Sequence, residues 1–344
     1  MQNQGLNALV AVAVVAAVAA IFVSREGTGA PADPLSGKPV LPGLAQDIGD
    51  ISHVTLMQGG QKTTLVRQNT DWAVEERGLY PAQADKVHEA LIGLAELTFV
   101  EPKTMKPDLY SRLQVEDPAK KDAKSILVTV SDGKNSLLGE IIAGKHLVDQ
   151  LGGGNDGIYV RKPGDAQSWL ARGTLDLAGD TKDWLQKPIL DLPADQVKDV
   201  ELDAPDGGKL GFARGKPADK FALTTPPPAG RTVKEDDDTL NQPAGALAGL
   251  ELSDVAPAKD FAFPTTGLTQ AKFDSFDGLT LSLTLGQKDG NDWAKITATG
   301  TGDAAKRAAD LTQKLSPWVY EIPSFKAKLL ETKMNDVLAP PKGS

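Results

Sequence analysis

Residues 51–56, Ile51-Ser52-His53-Val54-Thr55-Leu56, alternate apolar and polar side chains, and the pattern returns as Val197-Lys198-Asp199-Val200-Glu201-Leu202. Alternation of this kind sends the apolar set to one face of a strand. Each stretch runs into a glycine pair, Gly59-Gly60 or Gly207-Gly208, and then into a second strand ending at Arg67 or Arg214. A glycine pair between two alternating stretches reads as a hairpin turn. An aromatic strand follows in both places, Trp72-Ala73-Val74-Glu75 and Phe221-Ala222-Leu223-Thr224. The chain therefore repeats itself at a period of about 146 to 155 residues.

Outward from these strands the order of elements stays the same. Residues 82–97 read as a helix that lies across the sheet, with Val87, Leu91, Leu94 and Ala95 on one face. Its counterpart is interrupted by Pro243, so a shorter helix, or one beginning near Ala244, is expected there. The exits match as well, residues 97–103 against 250–259. Strands return at 126–130 and 137–142 around Asp132-Gly133, and at Tyr159-Val160-Arg161. Their counterparts are Leu279, Leu281, Leu283 and Leu285, alternating with Thr280, Ser282 and Thr284, and the strand from Trp293 to Thr299. The expected fold class is α+β: two tandem similar modules of mostly antiparallel sheet with packed helices, residues 47–190 and 191–330, then a tail at 331–344. A single fused sheet satisfies the same pattern.

The ends and the composition bound the setting. Residues 6–23 hold eighteen residues whose only polar member is Asn7, about 27 Å as a helix, so residues 1–23 read as an N-terminal transmembrane anchor. A cleaved leader is the rival reading, since Ala17-Val18-Ala19 offers small residues, but no Lys or Arg precedes the apolar run. Residues 24–46, rich in Pro and Gly, read as a tether. Flanking charge leaves the orientation open, with Arg25 and Lys38 after the span and none before it. The 344 residues carry 37 Lys and Arg against 46 Asp and Glu, and this acidic balance argues against a phosphate-tracking surface, so nucleic acid is not an expected partner. The chain has no cysteine, which excludes disulfides, thiolate nucleophiles and cysteine zinc sites.

Several segments taken together carry a resemblance: Pro42-Gly43-Leu44, Trp72 with Val74, Tyr80-Pro81-Ala82, Leu94-Ala95-Glu96-Leu97, Glu101-Pro102-Lys103-Thr104, Tyr159-Val160-Arg161 and Ser168-Trp169-Leu170-Ala171. In their order and spacing they resemble the bacterial family known as domain of unknown function 4340, from the anchor to about residue 330. The resemblance implies an N-terminal anchor in the inner membrane, a duplicated extracytoplasmic body, and association with ABC-2-type export permeases and a gliding-motility-related auxiliary subunit. It implies no catalytic residue.

Each stretch that resembles an enzyme signature has a simpler reading. Gly59-Gly60-Gln61-Lys62-Thr63-Thr64 ends like a phosphate loop but lacks its glycine spacing, and a hairpin turn explains it. Gly152-Gly153-Gly154 reads as a hairpin tip rather than an anion nest. His88-Glu89 opens like a metalloprotease helix, but Ile92 occupies the place of the second histidine. His53 and His146 are expected as packed or solvated polar residues, and Glu235-Asp236-Asp237-Asp238 as a solvated acidic segment near a helix start. Trp72 and Trp293 fall at core positions of strands, Trp169 and Trp184 at the junction of the modules, where they are expected to pack the two together, and Pro226-Pro227-Pro228 forms a stiff loop. No catalytic, cofactor or metal residue is assigned.

The expected function is that of a non-enzymatic, single-pass membrane accessory subunit with its body in the periplasm. A periplasmic module that binds a lipid or glycan and hands it to a transporter is the alternative, and an envelope hydrolase a more distant one.

Overall fold

The computed structural model describes residues 33–151, 156–236 and 238–340. The anchor at 1–23, the tether up to residue 32, the triple glycine at 152–154, Asp237 and residues 341–344 lie outside the described residues. Among the described residues no helix is long and apolar enough to cross a membrane.

Mixed α+β structure with antiparallel sheets and few helices is what the alternating stretches build. The first half supplies β1 (Ile51–Gln58), β2 (Gln61–Gln68), β3 (Asp71–Val74), β4 (Tyr80–Pro81), β5 (Thr98–Pro102), β6 (Ile126–Asp132), β7 (Leu137–Leu147), β8 (Gly157–Arg161) and β9 (Ser168–Arg172). They form a nine-stranded sheet in the order β4-β3-β2-β1-β6-β7-β8-β9-β5. The second half supplies β11 (Val197–Asp203), β12 (Lys209–Ala213), β13 (Ala222–Leu223), β15 (Asp254–Pro257), β16 (Thr269–Ser275), β17 (Leu279–Lys288), β18 (Asn291–Gly300) and β19 (Trp318–Glu321). Their order is β13-β12-β11-β16-β17-β18-β19-β15. Apart from β4, the two orders are the same, strand for strand. A small ribbon pairs β10 (Pro188–Leu190) with β14 (Leu250–Glu251).

Local chemistry explains the turns. Gly59 and Gly60 have φ of 59° and 77°, the positive values that a two-residue hairpin turn demands and that glycine adopts without strain. The period-2 pattern of β17 does what it predicts: Leu279, Leu281, Leu283 and Leu285 are all buried, and Leu283 lies opposite Ile296 of β18.

The first main helix, α1 (Ala84–Glu96), begins two residues later than expected and buries Val87, Leu91 and Leu94. The second, α2 (Asp238–Ala244), is short, with Pro243 in its last turn; it ends where the alternative reading had it begin. Because proline lacks an N–H and clashes with the preceding turn, little helix can follow. A third, α3 (Ala304–Leu315), was not foreseen from the sequence. It packs on β18, where Thr312 Oγ1 receives the Ala298 N–H at 3.0 Å and donates to the Ala298 carbonyl at 2.7 Å. A side chain at Gly300 would meet the Ala304 carbonyl oxygen at 2.5 Å, which keeps that approach open to glycine alone.

The chain divides into two compact units. One contains the described residues up to Ile51, then Met57–Gly60 and Glu89–Leu177. The other contains Ser52–Leu56, Gln61–His88 and the described residues from Ala178 onward. The structural features below that bear on function lie in this second unit.

Candidate functional site

The turn between β3 and β4 holds an unusual residue. Leu79 has φ of 66° and a half-exposed side chain. The left-handed region costs an L-residue about 1–2 kcal/mol, and a branched apolar side chain exposed to water offers little in return. The turn persists because its surroundings fix it. Gly78, also at φ 66°, donates its N–H to the Glu75 carbonyl at 3.0 Å, and the Leu79 N–H bonds the Val74 carbonyl at 3.0 Å.

Side chains from far along the chain clamp the same turn. Arg77 Nε donates to Asp254 Oδ1 at 2.6 Å and Nη2 to Oδ2 at 3.1 Å, a two-point ion pair. Asp254 sits opposite Glu321 in the β15–β19 pairing, a like-charge arrangement that needs a cation. Lys182 supplies it, with Nζ 3.4 Å from Asp254 Oδ2 and 3.6 Å from Glu321 Oε2. Burial pushes the Asp254 carboxyl up, but hydrogen bonds from Arg77 and the Val255 N–H, with the charges of Arg77 and Lys182, outweigh it and hold the group below its ordinary value. Beyond the turn, the Tyr80 ring meets Trp318 edge-on at 5.0 Å, and burial pushes its phenol up to about 12.

Leu79 stands on the rim of a cleft of about 690 Å³, which also takes in Gln68, Asp71, Trp72, Asp85, Lys86 and Gln186. The volume falls in the range of small-ligand and peptide pockets. The β2–β3 turn gives Gln68, Asn69 and Asp71, the approach to α1 gives Gln83 and Asp85, and residue 186 lies on a segment running beside β4. That segment is held by three bonds: Gln186 N–H to the Pro81 carbonyl at 2.9 Å, Gln83 N–H to the Trp184 carbonyl at 2.8 Å, and Gln83 Nε2 to the Asp183 carbonyl at 3.0 Å. Trp72 is buried, with the Arg67 guanidinium 5.3 Å from its ring centre, and its indole N–H has no hydrogen-bond partner among the described residues. Leaving a buried N–H unpaired costs about 1–3 kcal/mol. Two carboxylates, one ammonium and several carboxamides stand among apolar residues, Ala73, Leu79, Pro81, Ala82 and Ala84, so the lining is mixed and slightly acidic.

A second cleft, of about 350 Å³, lies beside β13 and the start of α2, lined by Lys220, Phe221, Lys234, Glu235, Asp236 and Leu240. Since β13 occupies the place of β3 in its sheet, the two clefts are at corresponding positions, each between that strand and the following helix. Only the first carries an apolar residue at positive φ on its rim.

The residues singled out from the sequence are placed as follows. Trp72 and Trp293 are buried, as strand alternation predicts. Trp169 packs on Phe99 of β5, rings 4.9 Å apart, and Trp184 is fully buried, its Nε1 donating to the Ala178 carbonyl at 2.9 Å. His88 and Glu89 are exposed on α1, and His146 Nε2 lies 3.5 Å from Asp156 Oδ2. Glu235 and Asp236 are exposed before α2, Asp238 is exposed at its first position, and Pro226, Pro227 and Pro228 are exposed. Among the described residues no three His, Asp or Glu side chains gather as a metal site. The Leu79 rim and the Arg77–Asp254 clamp went unread in the sequence. The only trace of them was Arg77-Gly78, a glycine marking a turn whose following residue takes positive φ.

A family model described as "Domain of unknown function (DUF4340)" matches residues 72–270. No curated protein and no solved structure matches the chain.

Proposed function

Since the chain belongs to the DUF4340 family, we propose that it is a non-enzymatic accessory subunit of an ABC-2-type export system, anchored in the bacterial inner membrane by residues 6–23 with its body in the periplasm. In this reading residues 47–190 and 191–330 are copies of one module, a view supported by the matching strand orders. The permease and a gliding-motility-related auxiliary subunit are its partners. An anchor and a tether confine the body to one membrane, so a modest contact area suffices for association with a neighbour in the same bilayer.

The observation that carries the reading is Leu79, an apolar side chain kept exposed in a costly backbone conformation by a partly buried clamp. A fold that maintains such strain at its surface is supporting recognition rather than packing. The test is photo-crosslinking of the full-length chain in its native membrane, followed by identification of the partners. Recovery of an export permease or its auxiliary subunit is the expected result, and recovery of uncrosslinked protein alone from several surface positions overturns it.

A second reading has its own observation, the cleft beside Leu79 with its mixed apolar and polar lining, and makes the chain a binding module that passes a lipid or glycan to the transporter. Native mass spectrometry of detergent-released protein tests it, with retained lipid or saccharide as the expected outcome.

A further inference from the structure

We propose that the cleft beside Leu79 receives an extended polypeptide segment of a partner protein, seating an aliphatic side chain on Leu79 and a neighbouring Lys or Arg near Asp71 and Asp85. The inference rests on the docking role proposed above and names the place and chemistry of that docking.

Three features of the cleft choose this occupant. Its lining is rich in carboxamides, from Gln68, Asn69, Gln83 and Gln186. A carboxamide offers both a donor and an acceptor, the pair that an extended peptide backbone presents at each residue. Its ionised side chains, Asp71 and Asp85 against Lys86, sum to a single negative charge, which disfavours an anionic headgroup or phosphate and favours a basic residue. Lys86 is already engaged, with Nζ 3.2 Å from the Asp183 carbonyl and 5.0 Å from the Trp184 ring centre, so its charge is turned partly toward its own surroundings.

The third feature separates peptide from saccharide. Sugars bind on exposed aromatic faces, and the one aromatic residue of this lining, Trp72, is only 1% exposed. The exposed apolar surface is instead the aliphatic side chain of Leu79, at 47%. An aliphatic contact flanked by hydrogen-bonding amides and carboxylates suits a peptide, which brings apolar side chains and backbone hydrogen-bonding groups side by side. The corresponding cleft at β13 serves as an internal comparison. It is smaller and is lined by Lys220, Lys234, Glu235 and Asp236, with no exposed aliphatic residue at positive φ, so the proposal belongs to the first cleft alone.

The test uses the full-length protein in detergent and a displayed library of random peptides. Enriched peptides are expected to share an aliphatic residue next to Lys or Arg, and to bind at least about tenfold more weakly to Leu79→Ser and to Asp85→Lys, the scale of a truncated interface anchor. Gln186→Ala, which keeps its backbone bond to Pro81, is the second cleft variant and is expected to weaken binding as well. Peptides that bind all three variants as well as the parent overturn the proposal, as does a library that yields no enrichment. Binding of a chitin tetrasaccharide that is lost in the same variants, with no peptide enriched, assigns the cleft to saccharide instead. Crosslinking to a permease that persists in Leu79→Ser and Asp85→Lys leaves the docking role standing and removes this site from it. Peptide binding without any permease crosslink does the reverse.

Discussion

Arg77 and Asp254 lie 177 residues apart and meet through two hydrogen bonds, one at 2.6 Å and one at 3.1 Å. The pair ties a turn built in the first half of the sequence to a strand, β15, built in the second half. Its side chains are 25% and 11% exposed, which places it between surface and buried ion pairs. Removing one partner leaves the other poorly solvated, and that penalty exceeds what an exposed pair is worth.

Asp254→Asn is therefore expected to lower stability by about 1–3 kcal/mol. The effect depends on pH with a definite sign. The folded Asp254 carboxyl titrates below its unfolded value of about 3.9. Its contribution is complete above the unfolded value and is lost as pH falls through the lower, folded one. Urea midpoints of parent and variant should differ at pH 7 and begin to converge only as the pH falls below about 4, through the folded value.

Gly78→Ala tests the close approach behind the turn. An added Cβ collides with Pro257 Cγ, and φ of 66° disfavours any L-residue. The two effects together are expected to cost about 2–4 kcal/mol. Pro257→Ala removes the colliding Cγ, so the double variant should recover the steric part and retain about 1 kcal/mol of backbone strain. A double-mutant cycle from denaturation curves reads the coupling directly.

Leu79→Gly separates stability from recognition. Glycine relieves a left-handed backbone worth about 1–2 kcal/mol but loses about 0.5–1 kcal/mol of chain entropy on folding. A small net gain, about 0.5 kcal/mol, is the expected outcome, seen as a rise in melting temperature. Crosslinking to the partner should weaken in the same protein. A residue present only for packing would show the opposite pattern, lower stability with binding intact.

Asp199→Asn probes an internal conflict. Asp199 stands opposite Asp274 in the β11–β16 pairing, with Lys272 3.0 Å from Asp274 and nearer to it than to Glu201 at 3.8 Å. Burial, followed by the charges of Glu201 and Asp274, raises the Asp199 carboxyl above its ordinary value. For a raised carboxyl the penalty is absent below the unfolded value near 3.9 and grows to its full size as pH climbs through the folded one. The variant should gain about 0.2–1 kcal/mol at pH 7 and nothing at pH 3, by the same urea measurement.

Much of the architecture was legible because it is local. Alternation in β17 and β18, the glycine pair at Gly59-Gly60 and the apolar face of α1 each specify an element within a few residues, and the order of those elements recurs along the chain. The missed helix α3 shows the limit of such reading. Its sequence, AAKRAADLTQKL, buries Ala304, Ala308 and Leu315, and it is docked by Thr312 and Gly300, whose roles appear only against β18.

The sequence by itself determined the strands, the turns and membership of a family, since periodicity and turn chemistry act over short stretches of chain. Tertiary structure alone decided the site. Leu79 is an ordinary leucine until Arg77 finds Asp254 and Gly78 closes on Pro257, contacts spanning more than half the chain that no local pattern encodes. Long-range packing is what holds an unfavourable backbone angle in place, and with it the side chain that the fold presents to a partner.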